Sequence, residues 1–496
     1  MLRCGENDFL KRFGDDKGVH QVKISIIIPS YNADELLAKG LATLAAQKLS
    51  LEETFEVVVV DDGSTDATRE YVARFAAEGL DIHYVHVPRD EESCRSRARN
   101  RGMAVSSGEV YLFLDSGILV PERFVSGIAE YYRMHSLHTA LLIYTYGLNV
   151  TPEQTDMEGL EQLDVNDRQA IDDWCREPFW FDLRHGAFQH DIGQLRSPWF
   201  CGFSCALTAP AELTKAIGGF DEAFKGWGVE DLDFSYRLHR HGVCFDTVGS
   251  LYAFHYPHPI HYSVEKPLNE QRNKLLMHAK YYELETELFA FERYEFPNVL
   301  AKLDHLQLAD MLPASYPRAE MAALSARHLA GAKRSLLVGA DKAKLVGQLP
   351  VTHLFGRSPA MVDKLKTAFP EREVAYLLGY ATPYETDYFD VAIVTDLLRG
   401  LNPAARQRLL VELSRIAREV IVLVSPELNP RIERELNARV IPGQEFVGSP
   451  FQPYVSMEKV FSASRAEIAA LADGLERVRL VDIVYDAELV KEEARR

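Results

Sequence analysis

The sequence predicts an α/β protein with two parallel-sheet domains joined by helices. Short runs of β-branched residues alternate with amphipathic segments from residue 22 onward, and the same alternation begins again at residue 335. Such alternation requires parallel strands connected by right-handed crossovers. Helical periodicity separates the two regions. We therefore expect an N-terminal lead-in at 1–21, an α/β domain at 22–265, a helical connector at 266–331 and a second α/β domain at 332–496.

Composition places the chain among globular proteins. Its 496 residues include 73 acidic and 55 basic side chains, which gives a formal net charge of −18 and argues against a nucleic-acid partner. The six cysteines form no Cys-x-x-Cys pair, so we expect reduced thiols. No apolar run approaches the roughly 18 residues that span a bilayer. We expect a cytoplasmic protein without a transmembrane segment, with any membrane contact peripheral and at the inner face.

In the first domain, the expected strands end in polar residues. The strand Ile24–Ile28 leads into Pro29-Ser30-Tyr31-Asn32, and Val57–Val60 leads into Asp61-Asp62-Gly63-Ser64. His83–Val87 is the expected third strand, and Val110–Leu114 is the fourth, followed by Asp115. The carboxyl ends of parallel strands form one ligand-binding edge. Asp115 is well placed there to hold a divalent cation against a nucleotide diphosphate, or it simply opens a turn or caps a helix.

Two further features bear on ligand binding. Arg95, Arg97, Arg99 and Arg101 precede the fourth strand; most such runs are solvated, yet one or more of these arginines could neutralise phosphates. After an expected strand at Ala140–Tyr146, residues 150–200 form a long excursion that contains several large aromatic residues. Those aromatic side chains either stack on sugars or pin the insert to the core.

A glycine-rich segment leads into an acidic helix start. Trp227 lies between Gly226 and Gly228, and Glu230, Asp231 and Asp233 open the next helical pattern. Carboxylates at a helix N-terminus also complement the helix dipole, so charge complementation is one interpretation. Glu230 and Asp233 share a helix face while Asp231 points elsewhere, which lets one turn serve both a pocket and a structural anchor.

Four motifs in order resemble those of family 2 glycosyltransferases, which have the GT-A fold. They are Ile26–Asn32, Val59–Asp66, Ala98-Arg99-Asn100-x-Gly102 and Phe113–Gly117. The resemblance implies that Pro29 and Tyr31 line the nucleotide pocket, that Asp62 accepts the uracil N3–H with Asp61 close by, and that Arg99 lies near the base or diphosphate. It makes Asp115 the first metal-binding carboxylate. The second acidic position falls on Gly117, which offers no ligand.

The segment Trp227-Gly228-Val229-Glu230-Asp231 resembles the motif of galactosyltransferase-type GT-A enzymes. That resemblance implies that Asp231 is the general base and that Glu230 binds the acceptor hydroxyl or the donor sugar. Trp227, Gly202 and Ser204 are assigned to the acceptor or sugar pocket. A histidine at the end of a later strand, Val248–Phe254, would complete the metal site with Asp115; His255 fits best and His258 less well. The implied metal is Mn²⁺ or Mg²⁺.

The second α/β domain resembles class I S-adenosylmethionine-dependent methyltransferases in fold. The segment Tyr388–Leu398 carries this resemblance. The first strand leads into a turn with the single Gly339, and the second ends in Phe355-Gly356-Arg357, where an acidic residue would bind ribose. We therefore do not expect S-adenosylmethionine binding. A role in binding a partner protein, positioning the acceptor or forming a homodimer is expected instead.

These features predict a metal-dependent, inverting glycosyltransferase. It would move a hexose or N-acetylhexosamine from a UDP-sugar to an acceptor hydroxyl on a glycan, a peptide or a small molecule. One alternative is a bifunctional enzyme that also methylates. Another is a scaffold whose transferase site is inactive because of Gly117.

Overall fold

The computed structural model describes residues 22–50, 53–189, 191–259, 263–292, 316–340, 343–401, 403–424, 465–473 and 475–482. The expected lead-in at 1–21 and much of the expected connector, 293–315, lie outside the described residues. The chain divides into two compact units, one up to Asn273 and one from Lys274 onward. No helix in the described ranges is both long enough and apolar enough to cross a bilayer.

The N-terminal unit is built on a five-stranded sheet. Its order is β3-β2-β1-β4-β8, with β1 to β4 parallel and β8 antiparallel. The strands are β1 (Lys23–Ser30), β2 (Thr54–Asp61), β3 (Ile82–His86), β4 (Val110–Leu114) and β8 (Ala206–Pro210). The parallel sheet expected from the sequence is therefore present. Strand β1 extends through Pro29, which was expected to break it, because Pro29 lies near the end of the strand and needs no N–H for pairing there.

The N-terminal unit contains nine named helices in its described residues, and the three at 157–188 belong to the excursion rather than to the cover of this sheet. The nine are α1 (Asp34–Ala45), α2 (Thr68–Ala77), α3 (Arg95–Val105), α4 (Phe124–Met134), α5 (Met157–Leu160), α6 (Arg168–Trp174), α7 (His185–Phe188), α8 (Ala211–Ala216) and α9 (Glu230–Arg240). Apolar side chains at helical spacing, such as Leu37, Leu41 and Leu44 of α1, are buried against β1 and β2. The core is thus the sheet face that these helices cover.

Two small sheets hold the rest of the unit. One pairs β5 (Ile118–Leu119), β10 (Tyr252–His255) and β7 (Tyr144–Tyr146); the other pairs β6 (Thr139–Leu141) and β9 (Cys244–Asp246). The single strand expected at Ala140–Tyr146 is therefore split, because the chain passes from one sheet to the other at Leu142 and Ile143. The strand expected at Val248–Phe254 is shorter than predicted and ends at His255.

The excursion at 150–200 consists of short helices around buried aromatic rings. Trp180 and Trp199 are 3% and 0% exposed, and Trp180 stacks on Phe254 at 5.6 Å between ring centroids. These two side chains therefore attach the insert to the core, which is the second of the two roles expected from the sequence. Cys244 is disulfide-bonded, whereas Cys94, Cys175, Cys201 and Cys205 are free. The expectation of six reduced thiols was wrong for Cys244.

The C-terminal unit contains a six-stranded, entirely parallel sheet. Its order is β13-β12-β11-β14-β15-β16, which is a doubly wound arrangement. The strands are β11 (Ser335–Val338), β12 (His353–Gly356), β13 (Glu373–Tyr376), β14 (Phe389–Val394), β15 (Ala417–Val424) and β16 (Val478–Asp482). The helices, with α10 crossing the boundary between units, are α10 (Glu265–Tyr281), α11 (Leu284–Glu292), α12 (Arg318–Leu324), α13 (Ala343–Val346), α14 (Pro359–Ala368), α15 (Pro403–Ile416) and α16 (Arg465–Asp473).

Helix α11 is fixed to this sheet by a buried carboxylate. Glu287 is 0% exposed and accepts backbone N–H groups from Leu378 (2.7 Å), Gly379 (2.9 Å), Ala381 (3.2 Å) and Tyr380. Burial raises the pKa of Glu287 to about 7, against the opposing effect of these hydrogen bonds. Part of the segment expected as a connector is therefore built into the C-terminal unit.

Candidate active site

The sheet topology brings the sequence-predicted acidic residues to one edge. Ser30 of β1 lies beside Asp61 of β2 in the register, and Asp115 directly follows the adjoining strand β4. Asp62 extends this edge through a hydrogen bond from its N–H to the Ser30 carbonyl (2.9 Å). Because all three strands are parallel, their carboxyl ends form a single rim, as the sequence predicted.

Asp62 presents an unsatisfied acceptor at this rim. One carboxylate oxygen accepts from Arg89 Nη1 at 2.7 Å. The other, Oδ1, is buried and accepts no hydrogen bond among the described residues, although Arg97 Nη2 lies 4.0 Å away. Burial raises the pKa of Asp62, and the charge of Arg89 partly opposes that rise. A buried acceptor without a donor is costly, so a ligand N–H would be favoured at this oxygen.

Tyr31 and Arg89 lie beside Asp62. The Arg89 guanidinium stands 3.8 Å from the centre of the Tyr31 ring, and Tyr31 is 46% exposed. Pro29 lies in β1, two residues before Tyr31, and its carbonyl accepts a hydrogen bond from the Ser116 hydroxyl (3.1 Å). Arg89 was not among the candidate residues predicted from the sequence. Its position two residues after the expected third strand was the available signal.

Asp61 is held by its own neighbours. It accepts a hydrogen bond from the Ser64 N–H (2.7 Å) and one from the Tyr84 hydroxyl, and His86 lies 3.3 Å away. Burial works to raise the pKa of Asp61, but hydrogen bonds from Tyr84 and Ser64 outweigh it and the net shift is downward. Its carboxylate therefore shapes the loop after β2.

Arg99 joins the two acidic groups of the site. Its side chain is 2% exposed, and its Nη2 and Nη1 lie 3.1 Å from Asp115 Oδ1 and 3.5 Å from Glu230 Oε1. Two of its donors face carboxylates, and the expectation that Arg99 also lies near the base or diphosphate of a donor stays a prediction. The arrangement shows that Asp115 and Glu230 belong to one cluster, although 115 residues separate them along the chain.

Asp231 lies next to this cluster, at the first turn of α9. It accepts N–H groups from Leu232 (2.9 Å) and Ser204 (3.3 Å). Burial, followed by the negative charge of Glu230, raises the pKa of Asp231 to about 7, and Arg99 opposes that rise. A carboxyl group that titrates near neutral pH suits proton transfer.

The other residues assigned to the sugar pocket surround Asp231 in different ways. Trp227 is 39% exposed, whereas Ser204 is 2% exposed and contributes its backbone N–H. Gly202 is packed against α9, where an added Cβ would lie 2.0 Å from the Ser235 hydroxyl oxygen. Its visible role is therefore close packing of the loop that carries Ser204.

The residues present fit a divalent cation. Asp115 has a half-exposed carboxylate, with a side-chain exposure of 43%. His255 Nδ1 is buried without a hydrogen-bond partner in the described part of the chain. Burial, assisted by His258, lowers the pKa of His255 to about 4, against the opposing charge of Asp115. The imidazole is therefore neutral at pH 7, which is the form that binds metals.

The backbone at position 117 does not readily accept an acidic side chain in place of Gly117. It has a φ of +84°, and an added Cβ would lie 3.3 Å from two carbon atoms of Leu36. Among the described residues, one group of three side chains comes within metal-binding distance, namely Glu56, Asp81 and His83. That group lies at the amino ends of β2 and β3, away from the rim that holds Asp61, Asp62 and Asp115.

Family models match the part of the chain that holds this rim. Residues 25–175 match Glycosyl transferase family 2, and residues 185–260 match the N-terminal domain of galactosyltransferase. Within the mixed α/β N-terminal unit, the chain is thus similar to family 2 glycosyltransferases over one segment and to the galactosyltransferase N-terminal domain over the next. Both family resemblances drawn for the first domain are confirmed at this level.

Curated relatives match the same half of the chain. Validoxylamine A glucosyltransferase of Streptomyces hygroscopicus subsp. jinggangensis is 32% identical over 243 residues, which cover 48% of this chain and 56% of the relative. Chondroitin synthase of Pasteurella multocida is 30% identical over 255 residues, covering 48% of this chain and 25% of the relative. The match spans about half of the first relative and a quarter of the second.

Solved structures with similarity to the chain are more distant. TarS of S. aureus, residues 1–349 in complex with UDP, is 21% identical with a TM-score of 0.38, covering 52% of this chain and 65% of that chain. The mannosyltransferase PcManGT of Pyrobaculum calidifontis, in complex with GDP-Man and Mn²⁺, is 17% identical with a TM-score of 0.36, covering 53% of this chain and 64% of that chain.

Proposed function

We propose that the N-terminal unit transfers a hexose or N-acetylhexosamine from a UDP-sugar to an acceptor hydroxyl, with inversion and with Asp231 as general base. The observation that carries this proposal is the position of Asp231. Its carboxyl group titrates near neutral pH, and it adjoins the cluster in which Arg99 joins Glu230 to Asp115. The acceptor would be a glycan, a peptide or a small molecule. The sugar transfer named in the matching relatives supports the reaction class.

The base would act on a poor nucleophile. A sugar hydroxyl is not ionised at neutral pH, so a carboxylate within hydrogen-bond reach must accept its proton as the new glycosidic bond forms. The backbone N–H groups of Ser204 and Leu232 orient the Asp231 carboxylate. Glu230, 7% exposed, would accept a hydrogen bond from a hydroxyl of the acceptor or the donor sugar.

The donor would lie along the rim. Asp62 Oδ1, which accepts no hydrogen bond among the described residues, suits the uracil N3–H, and Tyr31 and Pro29 would line the base pocket with Asp61 close by. Asp115 and His255 would hold Mn²⁺ or Mg²⁺, which neutralises charge on the departing UDP when it is bound. Trp227 would border the sugar. The C-terminal unit would serve partner binding, acceptor positioning or dimer formation.

The test is Asp231→Asn measured against Asp221→Asn. UDP release is followed with Mn²⁺ and a panel of UDP-glucose, UDP-galactose and their N-acetyl derivatives, and UDP binding is measured separately. Asp231→Asn should bind UDP normally and lose turnover by roughly 10²- to 10⁴-fold, the usual contribution of a general base. Asp221 is the control, since its carboxylate accepts the local Ala223 N–H (2.8 Å).

The pH profile gives a second readout. Because the base must be ionised, wild-type kcat/KM should fall as pH decreases through the neutral pKa of Asp231. An Asp231→Asn protein with full turnover would refute the assignment of the base. A wild type that releases no UDP from any donor would favour a scaffold.

A further inference from the structure

The loop that carries Trp227 is held by a helix beyond the matched family segments. The galactosyltransferase-type match ends at residue 260, and α10 begins at Glu265. Asn273 of this helix is 1% exposed. Its side-chain amide donates to the carbonyl oxygens of Lys225 (3.1 Å) and Gly228 (2.8 Å). These two carbonyl groups lie on either side of Trp227, so one side chain spans the loop.

The loop needs such support because its backbone is strained. The φ values are +77° at Gly226, +89° at Gly228 and +79° at Val229. A β-branched residue in this region is a conformational outlier, and such residues persist only where their surroundings fix them. Val229 immediately precedes Glu230 and Asp231 at the start of α9. The conformation of the loop therefore sets the direction in which α9 begins.

Helix α10 approaches the loop closely. A Cβ added at Gly226 would lie 2.7 Å from Asn269 Cγ, so a larger residue there would have to displace the Asn269 side chain. Arg272 Nη2 also donates to the Lys225 carbonyl (2.6 Å). Asn273 contributes hydrogen bonds from a buried position, where water does not compete for the same carbonyl groups.

The opposite side of the loop is tied down by more exposed groups. Arg95 Nη1 donates to the Gly226 carbonyl (3.3 Å), and Lys225 Nζ donates to Glu92 Oε2 (2.8 Å). The Lys225 and Glu92 side chains are 31% and 73% exposed, and ion pairs at that exposure contribute little. The buried amide of Asn273 is therefore the stronger constraint.

We infer that Asn273 is a positioning residue for the sugar-transfer step, acting through the Trp227 loop and the first turn of α9. This inference rests on the proposed function. Displacing a catalytic group by about 1 Å can cost 10²-fold in rate. Loss of the Asn273 amide should therefore lower kcat. Donor-nucleotide affinity should stay the same, because Asp62 and Tyr31 are held on the strand rim by Arg89 and the Ser30 carbonyl.

The test compares Asn273→Ala and Asn273→Ser with Leu268→Ala. Leu268 lies on the same helix, 68% exposed, and serves as the matched control. With Mn²⁺ and the UDP-sugar that the wild type uses fastest, Asn273→Ala should lower kcat by about 10-fold or more, equivalent to at least about 1.4 kcal/mol. The UDP dissociation constant should change less than about two-fold. Asn273→Ser keeps one donor and should be intermediate, and it decides the matter if the alanine variant fails to fold.

Tryptophan quenching supplies a readout independent of turnover. Trp227 is 39% exposed, whereas Trp180 and Trp199 are buried, so Trp227→Phe in each background isolates the Trp227 signal. Acrylamide should quench Trp227 more strongly in Asn273→Ala than in Leu268→Ala. Wild-type kcat together with wild-type quenching in Asn273→Ala would overturn the inference. So would a kcat loss matched by an equal loss of UDP affinity.

The two proposals fail separately. If the wild type turns over no UDP-sugar while Asn273→Ala still changes Trp227 quenching, the proposed function fails and the contact between helix and loop stands. If the wild type is active and the Asn273 variants match it in kcat and quenching, the positioning role fails and the proposed function stands.

Discussion

Removal of the Arg99 charge should destabilise the N-terminal unit measurably. Arg99 is the cation between Asp115 and Glu230, and its charge also acts on Asp231. Arg99→Met keeps a long side chain in the same space but leaves the carboxylates without their buried partner. Arg101→Met is the control, because Arg101 is exposed on the same helix.

The expected loss of folding stability in Arg99→Met follows from how deeply Arg99 and its partner carboxylates are buried. Breaking a buried ion pair by removing one partner costs about 3–5 kcal/mol. Asp115 has a side-chain exposure of 43%, so water screens part of that charge and the lower value, about 3 kcal/mol, is the better expectation. For a unit of this size that corresponds to a decrease in Tm of roughly 6–12 °C. Arg101→Met should stay within about 0.5 kcal/mol of the wild type.

The loss should depend on pH in a defined direction. A carboxyl group whose pKa is raised by folding stabilises the folded state below its unfolded pKa, and that contribution is lost as pH rises through the folded pKa. In the wild type, the stabilising contribution of Asp231 is therefore lost between its unfolded pKa of about 4 and its folded pKa of about 7. Arg99 opposes the rise in the pKa of Asp231, so that pKa should be higher still in the variant, and the stability gap between wild type and variant should widen from pH 5.5 to pH 8.

Tryptophan fluorescence reports the unfolding of the N-terminal unit, which contains Arg99. All four tryptophans, Trp174, Trp180, Trp199 and Trp227, lie before residue 274, so a urea titration followed by fluorescence reports the N-terminal unit alone. Titrations without divalent metal at pH 5.5 and pH 8 give the comparison. A variant within about 0.5 kcal/mol of the wild type, or a gap independent of pH, would refute the role given to Arg99.

Two other substitutions test particular positions. Gly117→Asp restores the acid that the family resemblance expects, but the φ of +84° and the contact with Leu36 should destabilise the N-terminal unit by about 1–3 kcal/mol. Fluorescence-detected unfolding should show the loss, and an unfolding midpoint equal to that of the wild type would contradict it. Glu287→Gln removes the charge that accepts four N–H groups and should cost the C-terminal unit about 1–3 kcal/mol, seen as faster hydrogen exchange at 378–381; Glu371→Gln, an exposed substitution, is the control, and unchanged exchange would contradict the prediction.

The sequence predicted the sheet edge well because it depends on local patterns. The fourth strand was predicted at Val110–Leu114 and occupies those residues. A buried strand is a short apolar run, and the polar residues after it must lie at the carboxyl edge of a parallel sheet. This logic placed Asp61, Asp62 and Asp115 together without knowledge of any side-chain contact.

Features that depend on long-range contacts were not predictable in this way. Arg97 and Arg99 are buried whereas Arg95 and Arg101 are exposed, and the charge pattern alone does not separate them. The family resemblance singled out Arg99, but its pairing with Glu230, far along the chain, was not predictable. The passage between sheets at Leu142 is set by pairing with β8 and β9. The attachment of α11 through Glu287 depends on backbone N–H groups more than 90 residues away.

The departure at Gly117 is structurally connected to His255. The Ile118 N–H donates to the Asp115 carbonyl (3.2 Å), which closes a turn with Gly117 at the position that requires a positive φ. The Gly117 carbonyl then accepts from the Tyr256 N–H (2.9 Å), and Ile118 pairs with His255. The backbone that lacks a second carboxylate is therefore the backbone that docks the strand carrying the imidazole. An aspartate forced into this turn would strain the pairing that holds His255 near Asp115, so the acid and the histidine at this site are not independent choices.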